Sequence, residues 1–335
     1  MIPFTGDAPE GYEAMVANVS GELIGSSTKV SESQEAATPP EVTEAGEAGG
    51  VGGLGKVIWR VFAENRMALV SVAVVILILL FCFVGPHIYI TNQTTLVITN
   101  PNQVLSPPSS QYPLGTDPNG YDILGRLMFG GATTLEIALL AAGIATVFGV
   151  CFGAVSGFAG GAIDAVMMRI VDTILSVPTL FLLVVIAAII KPSFWLIVFI
   201  VALAAWLVPA RLIRGETLTL RTREYVQAVR AMGGNGARIV LRHIIPNAIG
   251  TIIVNATFQV ADAIGVLAAL GFLGFGVPPP GTSWGQMLSD GIAYAEAGNW
   301  WLIYPAGLLI ILITVSFNYI GDALRDAFEV RLQRR

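Results

Sequence analysis

The chain is poor in nearly everything a soluble enzyme draws on. Two cysteines and two histidines in 335 residues exclude a disulfide-stapled scaffold and a histidine or thiolate metal cage. Cys82 and Cys151 both lie in apolar runs and read as small hydrophobes. Charged residues are only 12% of the chain, against roughly a quarter in soluble domains. There is no GxxxxGK[ST] phosphate loop, so no nucleotide site of the usual kind is expected. No Ser/His/Asp or paired-carboxylate constellation stands out, and neither a catalytic residue nor a cofactor or metal of its own is expected. The formal net charge of -5 misleads about partners, because nine of the 23 acidic residues fall in the first 50 positions beside a single Lys29. Nucleic acid is not an expected partner: the arginines cluster between apolar runs rather than on a broad free surface.

What the chain has is apolar sequence, at 54% hydrophobic residues and a mean hydropathy of +0.72. A helix that crosses a bilayer needs about 20 largely apolar residues. Six segments qualify, near 68–85, 134–158, 168–190, 193–210, 248–275 and 300–319. Read as one helix, 168–210 would be about 65 Å long, twice the apolar thickness, so Lys191-Pro192 is expected to turn a hairpin.

Charge sets the orientation. With the N-terminus inside, 16 of the 18 Lys and Arg residues are cytoplasmic, and only Arg126 and Lys191 lie outside. The expected fold is therefore an all-α integral membrane protein with six transmembrane helices and with N and C termini cytoplasmic. Its expected parts are a disordered acidic cytoplasmic tail over 1–50 and membrane entry with the first span over 51–85. An extracytoplasmic loop over 86–130 and a core over 131–320 follow, and 321–335 form a cytoplasmic C-terminal tail. Residues 89–99 suit short strands, and 276–299, with three consecutive prolines and Trp284, suit a cap on the outer mouth of a path.

Within the core, 211–246 holds seven arginines: Arg211, Arg214, Arg221, Arg223, Arg230, Arg238 and Arg242. Residues 222–232 have helical content, Gly233-Gly234 stops the helix, and Asn235 is placed to cap a second one through Arg242. Pro246 limits the entry to the fifth span. Val226, Val229 and Met232 are expected to be available for a socket. Such a stiff helix pair between spans suits a lever worked by a partner; the alternative is an amphipathic loop resting on membrane lipid through its arginines.

The loop resembles the EAA coupling loop of binding-protein-dependent ABC importer permeases: EAA, three residues, Gly, nine residues, then I-x-L-P. Ala228, Gly233, Ile245 and Pro246 hold their slots, with Ile245 for Leu. Gln227 replaces the Glu, Val229 an Ala and His243 an Ile, while Glu224 is the acidic residue ahead of the motif. Residues 114–126, LGTDPNGYDILGR, resemble the LGTDxxGRD segment of dipeptide/oligopeptide permeases, with Tyr121 in place of Arg. FLGFGV at 272–277, SWGQML at 283–288 and FNYIGDALRD at 317–326 resemble the second permease subunit of that subfamily.

The resemblance covers roughly 55–330 and implies a type I ABC importer permease fold. It implies a homologous second permease subunit, two ATPase subunits that bind ATP and Mg, and an extracytoplasmic peptide-binding protein. It places ATPase coupling on Glu224, Ala228, Gly233 and Pro246. From spacing alone, Asn255, Gln259 and Asp262 share one face of the fifth span and either look into a translocation path or join an interhelical polar network. Asp172 is placed to pair with Arg169. Gly149, Gly153, Gly157 and Gly160 suggest close helix approach. Two other readings stay open: a self-contained secondary transporter or channel, and a membrane scaffold. Nickel-chelate and glutathione importers use similar permeases.

Overall fold

A computed structural model describes residues 59–90, 104–190 and 192–333. The acidic segment 1–50 and most of 89–99 lie outside the described residues.

The first long helix, α1, spans Arg66–Ile88. Asn65 caps it by accepting from the backbone N–H of Met67 and Ala68 at 3.1 and 3.2 Å. Near its end the ladder widens into a π-turn over Leu80–Val84, where the Gly85 N–H reaches back to the Leu80 carbonyl. Pro86 follows at once. Proline has no N–H and its ring presses on the carbonyl four residues back; the wider turn relieves that pressure.

Helix α2 runs over Ile123–Ala159, 37 residues and about 55 Å. It begins well before the apolar run that announces it, because Asp122 accepts from the N–H groups of Leu124 and Gly125 and starts the helix inside a polar stretch. Gly160, at φ +66°, ends it. Helices α3, Gly161–Leu175, and α4, Thr179–Ile189, meet at 79°. The break falls at 176–178, where Pro178 disfavours a helical residue before it. Helices α5, Phe194–Ala205, and α6, Leu207–Leu220, are bent by 41° at Trp206. Three residues beyond the bend stands Pro209, which cannot donate to the Ala205 carbonyl.

Helix α7 is Glu224–Ala231; α8 is Gly236–Ile239, continued by a π-turn over Val240–Ile244 and by Ile245–Asn247. Then come α9, Ile249–Phe272, α10, Trp284–Ile292, and α11, Tyr304–Gln333. Four helices are long and apolar enough to cross a membrane, and six crossings result if each bent pair is one. The protein is an all-α, multi-pass membrane protein.

Helix α2 is the hub, packed against α6, α9 and α5. Leu135, Ile137, Ala138, Ala141, Ile264 and Leu267 are fully buried in the main core. Along α6 the seam is made of backbone. A side chain at Gly149 would lie 2.7 Å from the Trp206 carbonyl, one at Gly153 would run into the Ala210 carbonyl, and one at Gly157 would lie 2.8 Å from that of Arg214. Glycine at every fourth position lets the two helices touch, as its spacing predicts. Gly160 differs: it turns the chain and leaves room for the Arg221 guanidinium.

Candidate coupling site

Helix α7 is short, and its anchor is Val226. That side chain is 1% exposed, in a cluster with Val150 and Ala154 of α2, Ile213 of α6, and Ile239 and Ile244 after the turn. Val229 packs half-buried on the same cluster. Sequence reasoning offers both valines to an outside socket; the structure spends them on rooting the helix. The apolar side chains that protrude are Met232 (78% exposed), Leu241 and Tyr225. Ala228 lies exposed on the same short helix, and Glu224 begins it.

The stop is the expected one. Gly233 has φ +79°, its N–H donates to the Arg230 carbonyl, and the Gly234 N–H donates to the Val229 carbonyl, both at 3.0 Å. A side chain at Gly233 would meet open space, so it is the left-handed backbone that favours glycine there. Asn235 caps the next helix by accepting from the Ala237 N–H at 3.1 Å. That helix runs past Arg242 to Asn247, because its π-turn, closed by the Ile245 N–H on the Val240 carbonyl, accommodates Pro246.

Four of the seven arginines are engaged within the chain. Arg214 forks onto Asp164 at 2.5 and 2.6 Å, and the Ser156 hydroxyl donates to the same carboxylate at 2.5 Å. Arg221 donates to the Gly157 carbonyl at 2.8 Å, and Arg230 lies 5.8 Å from the Phe158 ring centre. Arg211 pairs with Asp172, which corrects the expected Arg169 partner: α6 packs against α3 and brings Arg211 to Asp172. The other three, Arg223, Arg238 and Arg242, are exposed and form no ion pair among the described residues.

Gln227, in the motif's Glu slot, donates its side-chain amide to the Arg221 carbonyl at 3.1 Å. A carboxylate cannot make that bond. Beside α7 opens a groove of about 940 Å³, bounded by Glu216, Arg223, Glu224, Tyr225, Asn247 and Phe328.

The three candidate path residues of α9 have separate surroundings. Gln259 is buried and its Nε2 donates to the Ala205 carbonyl at 2.5 Å, the group that Pro209 leaves without a helical donor. Its place is therefore in an interhelical contact. Asn255 is half-buried, and its Oδ1 has no hydrogen-bond partner among the described residues. Asp262 is exposed on the outward face of α9, as Glu136 is on α2.

Three kinds of resemblance bear on this arrangement. Residues 149–334 match the family described as "Binding-protein-dependent transport system inner membrane component". Residues 53–108 match the "N-terminal TM domain of oligopeptide transport permease C". Over 273 residues the chain is 36% identical to the oligopeptide transport system permease protein OppC of Bacillus subtilis, covering 82% of this chain and 88% of that one. It is 32% identical over 276 residues to the dipeptide transport system permease protein DppC of the same organism, covering 82% and 85%. Against OppC of Haemophilus influenzae it is 35% identical over 281 residues, covering 82% and 89%. A solved structure of the MetNI methionine ABC transporter aligns with 59% of this chain and 94% of its own at 20% identity, with a TM-score of 0.49. The chain belongs to the binding-protein-dependent inner-membrane permeases of ABC importers, on the peptide-transport branch that includes OppC and DppC.

Proposed function

We propose that this chain is the transmembrane permease subunit of an ATP-driven importer for dipeptides or oligopeptides. It crosses the membrane six times with both termini in the cytoplasm. A homologous second permease completes the path, two ATPase subunits bind on the cytoplasmic side, and an extracytoplasmic binding protein delivers the peptide. ATP and Mg belong to the ATPase subunits; this chain carries movement rather than a chemical step.

The observation that carries this reading is the division of labour within 211–246. Val226, Val229, Arg214 and Arg221 root the segment in the bundle, while Ala228, Met232, Arg223, Arg238 and Arg242 stay exposed. A loop that only rested on lipid would have no need of a rigid root. A lever needs one end fixed and the other offered. ATP binding closes the ATPase pair, α7 follows its ATPase, and α6 and the inner half of α2 follow α7 through the glycine seam. Pro246 begins the hinge into α9, where the widened turn gives the ladder freedom. Asp262 and Asn255 are the side chains on α9 suited to a peptide's ammonium and amides; the relatives' printed names support the peptide class.

The test uses the four-subunit complex in vesicles with its binding protein. Gly233→Asp should leave the protein inserted, since the left-handed backbone costs a non-glycine residue only about 1–2 kcal/mol and space is open there. It should abolish most of the ATP hydrolysis stimulated by peptide-loaded binding protein. Wild-type stimulation in that variant would defeat the coupling assignment.

A further inference from the structure

The segment at 114–126 is fastened by contacts that sequence spacing does not reveal. A side chain at Gly115, at φ +76°, would strike the Ser106 carbonyl. The Thr116 hydroxyl oxygen accepts from the Ser106 N–H at 2.9 Å, and the Thr116 carbonyl accepts from Trp301 Nε1 at 3.3 Å. Asp117 closes the next turn by accepting from the N–H groups of Asn119 and Tyr121, both at 2.8 Å. Burial pushes its carboxyl above the usual range, against the opposing pull of Arg126 and those two N–H groups.

Arg126, in the first turn of α2, is buried at the centre. Its Nε lies 3.5 Å from the Asp117 carboxylate, and its Nη2 donates to the Thr282 hydroxyl at 3.0 Å and lies 4.0 Å from Asp290. The guanidinium sits 5.0 Å from the Tyr121 ring centre, so the residue that departs from the family pattern gives the arginine an aromatic face.

The segment that Arg126 reaches is held to α2 a second time. Trp284, fully buried, donates its Nε1 to the Leu127 carbonyl at 2.9 Å and its backbone N–H to the Thr134 hydroxyl at 3.2 Å. A side chain at Gly131 would collide with the Trp284 ring. Thus 282–284 are bound along α2 from Arg126 to Thr134. The other end of the same helix carries α6 at Gly149, Gly153 and Gly157, and its Val150 and Ala154 belong to the apolar cluster in which Val226 of α7 is buried. No proline and no π-turn interrupts α2 between the two attachments.

We infer that α2 is the rod that joins the coupling helix to the outer cap, and that Arg126 is the positioning residue that fastens the cap to it. The inference rests on the proposed function for its ATPase and binding-protein partners. Arg126 touches no substrate; it acts through Thr282 and Asp117. When α7 moves, α2 and the cap move together, and engagement of the binding protein at the cap returns to the ATPases along the same helix. Without Arg126 the rod still moves with α7, but the cap, held by Trp284 alone, follows it less closely.

The experiment compares basal ATP hydrolysis with hydrolysis stimulated by peptide-loaded binding protein, in vesicles holding the full complex. Arg126→Met should keep basal hydrolysis near wild type and lower the stimulation roughly fivefold or more, the usual size of coupling between distant sites. Arg126→Lys, which keeps the charge beside Asp117, should recover part of it. Thr282→Val, which loses one hydrogen bond, should lower stimulation roughly twofold or more. Unchanged stimulation in Arg126→Met overturns the inference, as does an equal fall of basal and stimulated rates with no recovery by lysine. If Arg126→Met does not assemble, Thr282→Val decides, and wild-type stimulation there overturns it. A wild-type complex that neither hydrolyses ATP nor responds to the binding protein would instead overturn the proposed function, and this inference with it.

Discussion

The two ends of α2 are finished by opposite means. At the end that carries α6 and α7, glycines bring backbones into contact and arginines reach across to Asp164 and to the Gly157 carbonyl. At the far end large rings do the filling: Trp284, Trp301 and Tyr121 are all buried, and Tyr121 faces one buried arginine. The ring-filled end uses its arginine internally, between Asp117 and Thr282. The glycine end keeps three exposed arginines free of ion pairs among the described residues, with Met232 and Leu241 protruding beside them. Spare charge next to spare apolar surface suits the proposed docking to an ATPase, whereas internally satisfied charge suits a structural joint.

Breaking the glycine seam should have the largest effect on stability. Gly153→Val sets a branched side chain against the Ala210 backbone, which cannot rotate away. It should cost about 1–3 kcal/mol or prevent assembly, read as a lower melting temperature of the purified protein. Gly143→Ala, on the same helix with open space around it, should melt as wild type. Equal melting of the two variants would show that the seam is not close-packed. The smaller effect sharpens the comparison at the proposed docking face. Gln227→Glu removes the amide that donates to the Arg221 carbonyl, at a cost of about 1 kcal/mol. Hydrogen exchange should quicken at the start of α7 and stay unchanged around Arg126. Unaltered exchange at α7 would mean that the bond does not hold the junction.

Much of this was legible in the sequence, for physical reasons that differ between elements. Apolar runs report immersion, so composition placed the four long apolar helices and the region of the two bent pairs, but not the breaks within those pairs. Local chemistry was equally readable: Gly233 ends α7 and Asn235 caps its successor because both act within a few residues of themselves. Partners distant in sequence were not readable. Gln259 owes its position to a carbonyl freed by Pro209 on another helix, and Arg126 finds Thr282 across 156 positions. Hydropathy also hid the start of α2 at Ile123, since a cap within a polar motif carries no apolar signal. It did not separate Val226 from Met232 either: both are apolar, one on a short helix and the other just past its end, yet one roots it and the other protrudes.

The most direct measurement of the coupling claim is disulfide trapping in intact cells. Cysteine is placed at Ala228 or Gly233 in a chain whose exposed Cys151 is replaced by serine. Paired with cysteines on the ATPase surface, either position should give a crosslinked product of permease and ATPase, and its yield should change with bound nucleotide. Labelling of those same cysteines by a membrane-impermeant reagent added outside the cell would put the loop on the wrong side of the membrane and contradict the account.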